Sequence, residues 1–103
     1  MPQLAIEALR RAVAAGDYRI TIHAKDQLAK RKVTVTEAKR VITDGAVIEQ
    51  RLDDYPYPKA LFMYYVRGEP LYASCAFDGT CAYIITVHWY DPEKWIDPWT
   101  RRK

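Results

Sequence analysis

Tyr72, Ser74, Thr86, His88 and Tyr90 alternate with apolar neighbours along two runs that repeat every second residue. In a strand, successive side chains point to opposite faces. If the odd-numbered residues of this hairpin face a core, these five share the other face. They offer two phenols, two hydroxyls and one imidazole, groups that hydrogen-bond a phosphate or move a proton near neutral pH. Aromatic rings on a sheet also stack on unpaired bases. The same residues equally suit a plain strand surface packed beneath the tail that holds Trp95 and Trp99, because Tyr and Thr are good strand formers.

A second constellation lies earlier. His23, Gln27 and Arg31 recur at the i, i+4 and i+8 spacing of one helical line, with Lys30 beside them. A histidine at a helix start can hydrogen-bond local backbone, whereas the planar fork of an arginine such as Arg31 also clamps phosphate. Other chemistries find no support in the pattern. There is no Gly-rich phosphate loop, nucleophile elbow or HExxH. His23, Cys75, Cys81 and His88 lack metal-ligand spacing, and Asp53-Asp54 sits in a proline-flanked loop, so no metal and no cofactor is expected.

Charge adds a direction. The net charge of +3 is mild, but residues 1–45 hold nine basic side chains (Arg10, Arg11, Arg19, Lys25, Lys30, Arg31, Lys32, Lys39, Arg40) against five acidic ones (Glu7, Asp17, Asp26, Glu37, Asp44). The chain closes on Arg101-Arg102-Lys103. This fits a polyanion such as RNA or an acidic protein, or equally a solvated helical surface.

The elements that would position these groups follow from periodicity. At 103 residues, 50% of them apolar, the chain is long enough for one domain with a core. No apolar run approaches a bilayer span and no signal-like stretch opens the sequence, so a cytoplasmic protein is expected. Pro2, Leu4, Ala5, Ile6, Leu9, Ala12 and Val13 form a helical stripe ended by Gly16. After a short extended piece at 18–22, a second helix is predicted over 23–31, with Ala24 and Leu28 inward. Thr34-Val-Thr-Glu37 reads as a capping box opening a third helix, with Ala38, Val41 and Ile42 inward and Gly45 at its end.

From residue 46 the period falls to two, predicting strands at 46–52, 59–66, 71–77 and 81–88. Helices first and short-linked strands after them imply an α+β fold, with N-terminal helices packed on one face of a mainly antiparallel four-stranded sheet. In the last hairpin a three-residue loop best sorts the apolar side chains, sending Leu71, Ala73, Cys75 and Phe77 and also Cys81, Tyr83, Ile85 and Val87 to the core. Both cysteines then read as small, reduced core residues.

The run His23-Ala-Lys-Asp-Gln27-Leu-Ala-Lys-Arg31-Lys-Val-Thr34, then Gly45, resembles the His-Ala-x-x-Arg-x-x-x-Arg-Gly-Ile-Ser/Thr helix pair of the family known as domain of unknown function 4258. Tyr57-Pro-Lys-Ala-Leu61, Gly68-Glu-Pro-Leu-Tyr72, Ile84-Ile-Thr-Val87 and Asp91-Pro-Glu-Lys-Trp95 resemble the rest of that domain. The likeness covers about residues 18–103 of a single domain, leaving 1–16 as a helical extension. Three positions depart from the pattern: Gln27 stands for an arginine, Tyr72 for a histidine, and His88 for a tyrosine.

The family is similar in fold to the RelE/MqsR type of bacterial toxin, small domains that cleave RNA and are neutralised by an antitoxin. The resemblance therefore implies a metal-independent endoribonuclease acting on RNA, including ribosome-bound messenger, with a zinc-finger antitoxin as partner. On that implication His88, Tyr72, Tyr90 and Arg31 are the candidate catalytic residues. His23, Gln27, Lys30, Thr86, Arg101 and Arg102 are the candidate RNA contacts. Two alternatives stay open: a non-catalytic RNA- or protein-binding module using the aromatic face, and a homodimer that buries Tyr64, Tyr72 and Tyr90 in its interface.

Overall fold

The computed structural model describes residues 5–103. The proposed helical contributions of Pro2 and Leu4 lie outside the described residues. The elements run α1 (Ile6–Ala15), β1 (Tyr18–Ile20), α2 (Ile22–Arg31), α3 (Val35–Asp44), β2 (Ala46–Arg51), β3 (Lys59–Val66), β4 (Glu69–Phe77), β5 (Ala82–Trp89), β6 (Trp95–Asp97) and β7 (Thr100–Arg101).

Each helix ends where local chemistry ends it. The backbone of α1 passes into the left-handed region at Gly16, φ 89°, which a residue without Cβ adopts freely. α2 is capped by Thr21, whose hydroxyl accepts the Ala24 N–H at 3.1 Å. α3 opens on the anticipated capping box, with Thr34 and Glu37 exchanging two 3.0 Å bonds. It stops at Gly45, where an added Cβ would run into the Val41 and Met63 carbonyl oxygens, so only glycine lets the chain turn into β2 there.

The sheet corrects the four-strand expectation. It has five strands in the order β1-β5-β4-β3-β2, all neighbours antiparallel except β1, which pairs parallel to β5. The piece at 18–22 supplies that added edge strand. Three residues can pair once the helices before and after them draw the chain alongside β5, although three residues carry almost no period of their own.

The helices lie on one face. Leu9 and Val13 of α1, Ala24 and Leu28 of α2, and Val41 and Ile42 of α3 bury against Phe62, Leu71, Ala73, Cys75, Ile84 and Val87. The other face carries a smaller cluster of Leu61, Met63, Tyr72 and Trp95, covered by the β6–β7 hairpin, with Ile48 and Tyr90 packed against it.

The last hairpin departs from the expected register. Phe77 pairs with Ala82, leaving a four-residue connection, and the β4–β5 register slips between Ser74–Thr86 and Cys75–Ile84. Ile85 is the extra residue of this β-bulge. Val87 faces the helices as expected, but on the far side of the bulge the inward residues are Ala82 and Ile84 rather than Cys81, Tyr83 and Ile85. Cys75 is fully buried and Cys81 half-buried, and both are free thiols. Apolar alternation cannot reveal a bulge when Ile84 and Ile85 are equally apolar.

Candidate functional site

The sheet face opposite the helices is covered only in part. Where β6–β7 covers it, Tyr72 is fully buried, its hydroxyl donating to the Pro98 carbonyl at 2.6 Å. Its ring lies between two others: His88 at 5.0 Å and 13°, and Trp95 at 4.7 Å and 17°. Arg101 closes the stack, its guanidinium carbon 4.6 Å from the Trp95 ring centroid. An imidazole, a phenol, an indole and a guanidinium are thus layered from β5 through β4 to the C-terminal hairpin. Burying Tyr72 and Trp95 contributes roughly 2–3 kcal/mol each on transfer scales, enough to fix the tail.

This arrangement overturns the expectation that Tyr72 is an accessible catalytic phenol. Desolvation pushes its pKa up to about 12, so it neither gives up nor takes a proton near neutrality. Tyr90 is also turned inward, packing on the same cluster with its hydroxyl 3.4 Å from the Trp95 carbonyl. The physical reason is the tail. An open strand surface with two tyrosines becomes an interior surface once Trp95 seats on it. Trp99, expected to share in the pinning, is 55% exposed.

His88 remains at the edge of the cover, half-buried. It lines two adjoining clefts. One, of about 310 Å³, runs along the open sheet face past Glu49, Lys59, Ser74 and Thr86 to Arg101. The other, of about 230 Å³, lies between β5 and the C-terminal turn and is lined by Arg31, Lys94, Arg101, Asp91 and Trp95. Burial chiefly holds the His88 pKa below the ordinary histidine value; the Trp89 carbonyl opposes it, and the positive fields of Arg31, Lys94 and Arg101 each add a lesser push downward. That carbonyl oxygen lies 3.3 Å from Nδ1. A hydrogen bond to it requires the proton on Nδ1, so the neutral ring carries its lone pair on Nε2.

The cations differ in how they are held. Arg101 makes a two-pronged pair with Glu49, both bonds 2.9 Å, and this hydrogen bonding holds the Glu49 carboxyl below its usual range. Arg101 therefore carries a largely neutralised charge. Lys59 is likewise paired with Asp54 at 3.4 Å. Arg31 and Lys94 have no carboxylate within pairing distance among the described residues. The buried indole N–H of Trp95 also lacks a hydrogen-bond partner among them.

The helical line divides. Arg31 reaches the cleft of His88, and its carbonyl accepts the Trp89 indole N–H at 3.2 Å. Gln27 does not serve as an exposed RNA contact: its Oε1 accepts the Val87 N–H at 2.7 Å. Because β1 ends at Ile20, beside Ile84, the edge of β5 beyond it needs another acceptor, and Gln27 provides one. His23 is exposed and lines neither cleft, while Thr21 rather than His23 caps the helix. Lys30 pairs with Asp26 at 2.9 Å on the exposed face of α2, outside both clefts. Arg102 is tied to the turn, its Nε donating to the Pro92 carbonyl at 2.8 Å. Thr86 lines the sheet-face cleft beside Ser74 and His88, as expected.

Lys94 and Glu49 were missed by sequence reasoning, whereas a strand surface packed beneath the tail of Trp95 was one of the readings the sequence left open, and Trp95 is fully buried there. Lys94 could have been found in the Asp91-Pro-Glu-Lys-Trp95 turn, where a buried Trp fixes its neighbour; Glu49, a plain strand residue, carried no signal. Among the described residues no set of three or more His, Cys, Asp or Glu side chains could hold a metal ion. No helix among them is long and apolar enough to cross a membrane.

The molecule is thus a small α+β domain that presents one imidazole among cations at the rim of a sheet face. The chain belongs to the family described as domain of unknown function DUF4258, whose model matches residues 20–89. No curated protein and no solved structure gives a significant match.

Proposed function

We propose that the protein binds the sugar–phosphate backbone of RNA at the His88 clefts and cleaves it without a metal, in the manner of RelE/MqsR-like toxins. The observation that carries this reading is the grouping of Arg31 and Lys94 around His88, a histidine kept neutral at physiological pH by its surroundings. Unpaired cations attract a phosphodiester, and a neutral imidazole accepts a proton from the ribose 2′-OH. In the step proposed, Nε2 takes that proton and the 2′-oxygen attacks phosphorus. The P–O5′ bond then breaks and the leaving 5′-oxygen takes a proton from water, giving a 2′,3′-cyclic phosphate and a 5′-hydroxyl. Arg31 and Lys94 stabilise the charge that builds on the phosphorane oxygens. Arg101, held by Glu49, serves to place the Trp95–Tyr72–His88 stack.

In this reading the protein acts in the cytoplasm on RNA, ribosome-bound messenger included, and a small zinc-finger antitoxin restrains it. Exposed Ile96 and Trp99 on the C-terminal hairpin, next to the clefts, offer such a partner an apolar foothold. The test is cleavage of a 5′-labelled single-stranded RNA, with and without ribosomes, by the protein and its His88→Ala and Arg31→Ala variants. Loss of cutting in both, with cyclic-phosphate ends in the wild-type products, supports the assignment. Cutting that survives both changes removes it.

The burial of Tyr72 favours one second reading, a module that binds RNA and breaks no bond, because it takes away an accessible acid to pair with His88. Salt-sensitive RNA binding with intact product bands would select that reading.

A further inference from the structure

Beyond the His88 clefts, the same sheet face continues into a third depression of about 330 Å³, whose walls are almost wholly apolar. Tyr55, Pro56 and Tyr57 of the β2–β3 connection form one wall; Ala76 of β4 and Tyr83 and Ile85 of β5 form the other. The rings of Tyr57 and Tyr83 lie parallel, 4° apart in plane, with centroids separated by 6.1 Å. Tyr83 is held in place by its hydroxyl, which donates to Asp78 at 3.0 Å. Asp78 in turn accepts the Thr80 and Cys81 N–H groups at 2.8 and 2.7 Å. Tyr55 stands 91% exposed and Tyr57 39% exposed. Large exposed aromatic faces cost solubility and commonly mark a binding surface.

The position of this depression decides its occupant. Lys59 and Ile85 line it and also line the sheet-face cleft that reaches His88. From Tyr83 to His88 along β5 is five residues, roughly 16 Å at strand rise, a distance one strand of RNA covers in a few nucleotides. Flat parallel rings suit the π-face of a base, and Lys59, paired with Asp54 at 3.4 Å, marks the junction where the strand would pass into the His88 cleft. An aliphatic peptide side chain would use the apolar walls but not the flat parallel rings or the continuity of the depression with the cleft that reaches His88.

We propose that the Tyr55–Tyr57–Tyr83 platform stacks an unpaired base of the strand whose backbone lies at His88. This rests on the RNA reading given above and adds to it a subsite for a single-stranded base a few nucleotides from the reacting phosphate.

The test is equilibrium binding of a fluorescently labelled single-stranded RNA, repeated with an abasic sugar–phosphate strand of equal length, using the wild type and the Tyr55→Ala, Tyr57→Ala and Tyr57→Phe variants. Tyr55 is so exposed that its truncation removes little packing, which keeps the test independent of folding. Tyr57→Ala is expected to weaken RNA binding about fivefold or more, with a smaller loss for Tyr55→Ala and recovery in Tyr57→Phe, where the ring remains. Any loss in cleavage then falls on KM rather than kcat. The abasic strand should bind all variants alike.

Alanine variants that bind RNA as tightly as the wild type overturn the platform while leaving the His88 reading intact, and assign the depression to a protein side chain instead. A wild type that binds neither strand overturns the RNA reading and this subsite together.

Discussion

The Tyr72 phenol lies parallel to the His88 imidazole, 5.0 Å between centroids, yet its hydroxyl is directed away, to the Pro98 carbonyl at 2.6 Å. The ring supports the histidine as a surface; the oxygen serves the tail. The two functions of the side chain can therefore be separated by substitution.

Tyr72→Phe keeps the stack and deletes the bond to Pro98. Stability should fall by about 1 kcal/mol, the net worth of one hydrogen bond, while RNA cleavage stays within a few-fold of wild type. Tyr72→Ala opens a cavity under His88 and should cost roughly 3–5 kcal/mol. Urea unfolding measured beside cleavage rates checks both, and a Tyr72→Phe protein with intact fold and abolished cleavage would return the phenol to the mechanism.

The acid side of the stability profile should carry the signature of His88. Its folded pKa lies below the ordinary histidine value of about 6.5, so the unfolded chain binds the proton more readily. The sign follows: this contribution is fully present above about pH 6.5 and is lost as pH falls through the lowered folded value. Unfolding free energy followed from pH 7.5 downward should decline in the wild type, and His88→Gln should flatten that part of the curve. If cleavage uses the neutral ring, the acid limb of kcat/KM should also lie below the ordinary histidine range.

Gln27→Leu removes the acceptor of the Val87 N–H while keeping a side chain of similar length. A half-buried donor without a partner costs about 1–3 kcal/mol. The change should also speed amide exchange at Val87, which hydrogen-exchange spectra resolve. Unchanged exchange there would show that the edge of β5 is protected by something other than this side chain.

Much of the frame was legible because it rests on local rules. The Thr34/Glu37 capping box, the Gly16 stop and the strand periods of 59–66 and 71–77 each need only neighbouring residues. The site was legible in half. Thr86 and His88 share one cleft because the even-numbered face of that strand was read correctly, while of the helical line His23, Gln27 and Arg31 only Arg31 reaches His88. Tyr72 was misplaced because its cover comes from Trp95 and Pro98, more than twenty positions on, and nothing in a strand's own pattern tells water from an indole on its far side; Tyr90 packs on the same Trp95, five positions on. Gln27 stood as a candidate RNA contact, but its bond to the Val87 N–H depends on how short β1 is, a tertiary fact. Glu49 became visible only as the partner of Arg101, fifty-two positions away.

The bulge at Ile85 works as a phase shift in the chain. Upstream of it, outward side chains carry odd numbers; downstream, even ones. With Ile85 kept but the bulge flattened into regular strand, the chain would have to choose between turning His88 toward the helices and turning Ile84 into water. A chain one residue shorter at this point would present the same faces without a bulge, so spacings counted straight across residues 82–88 pair the wrong positions unless Ile85 is allowed for.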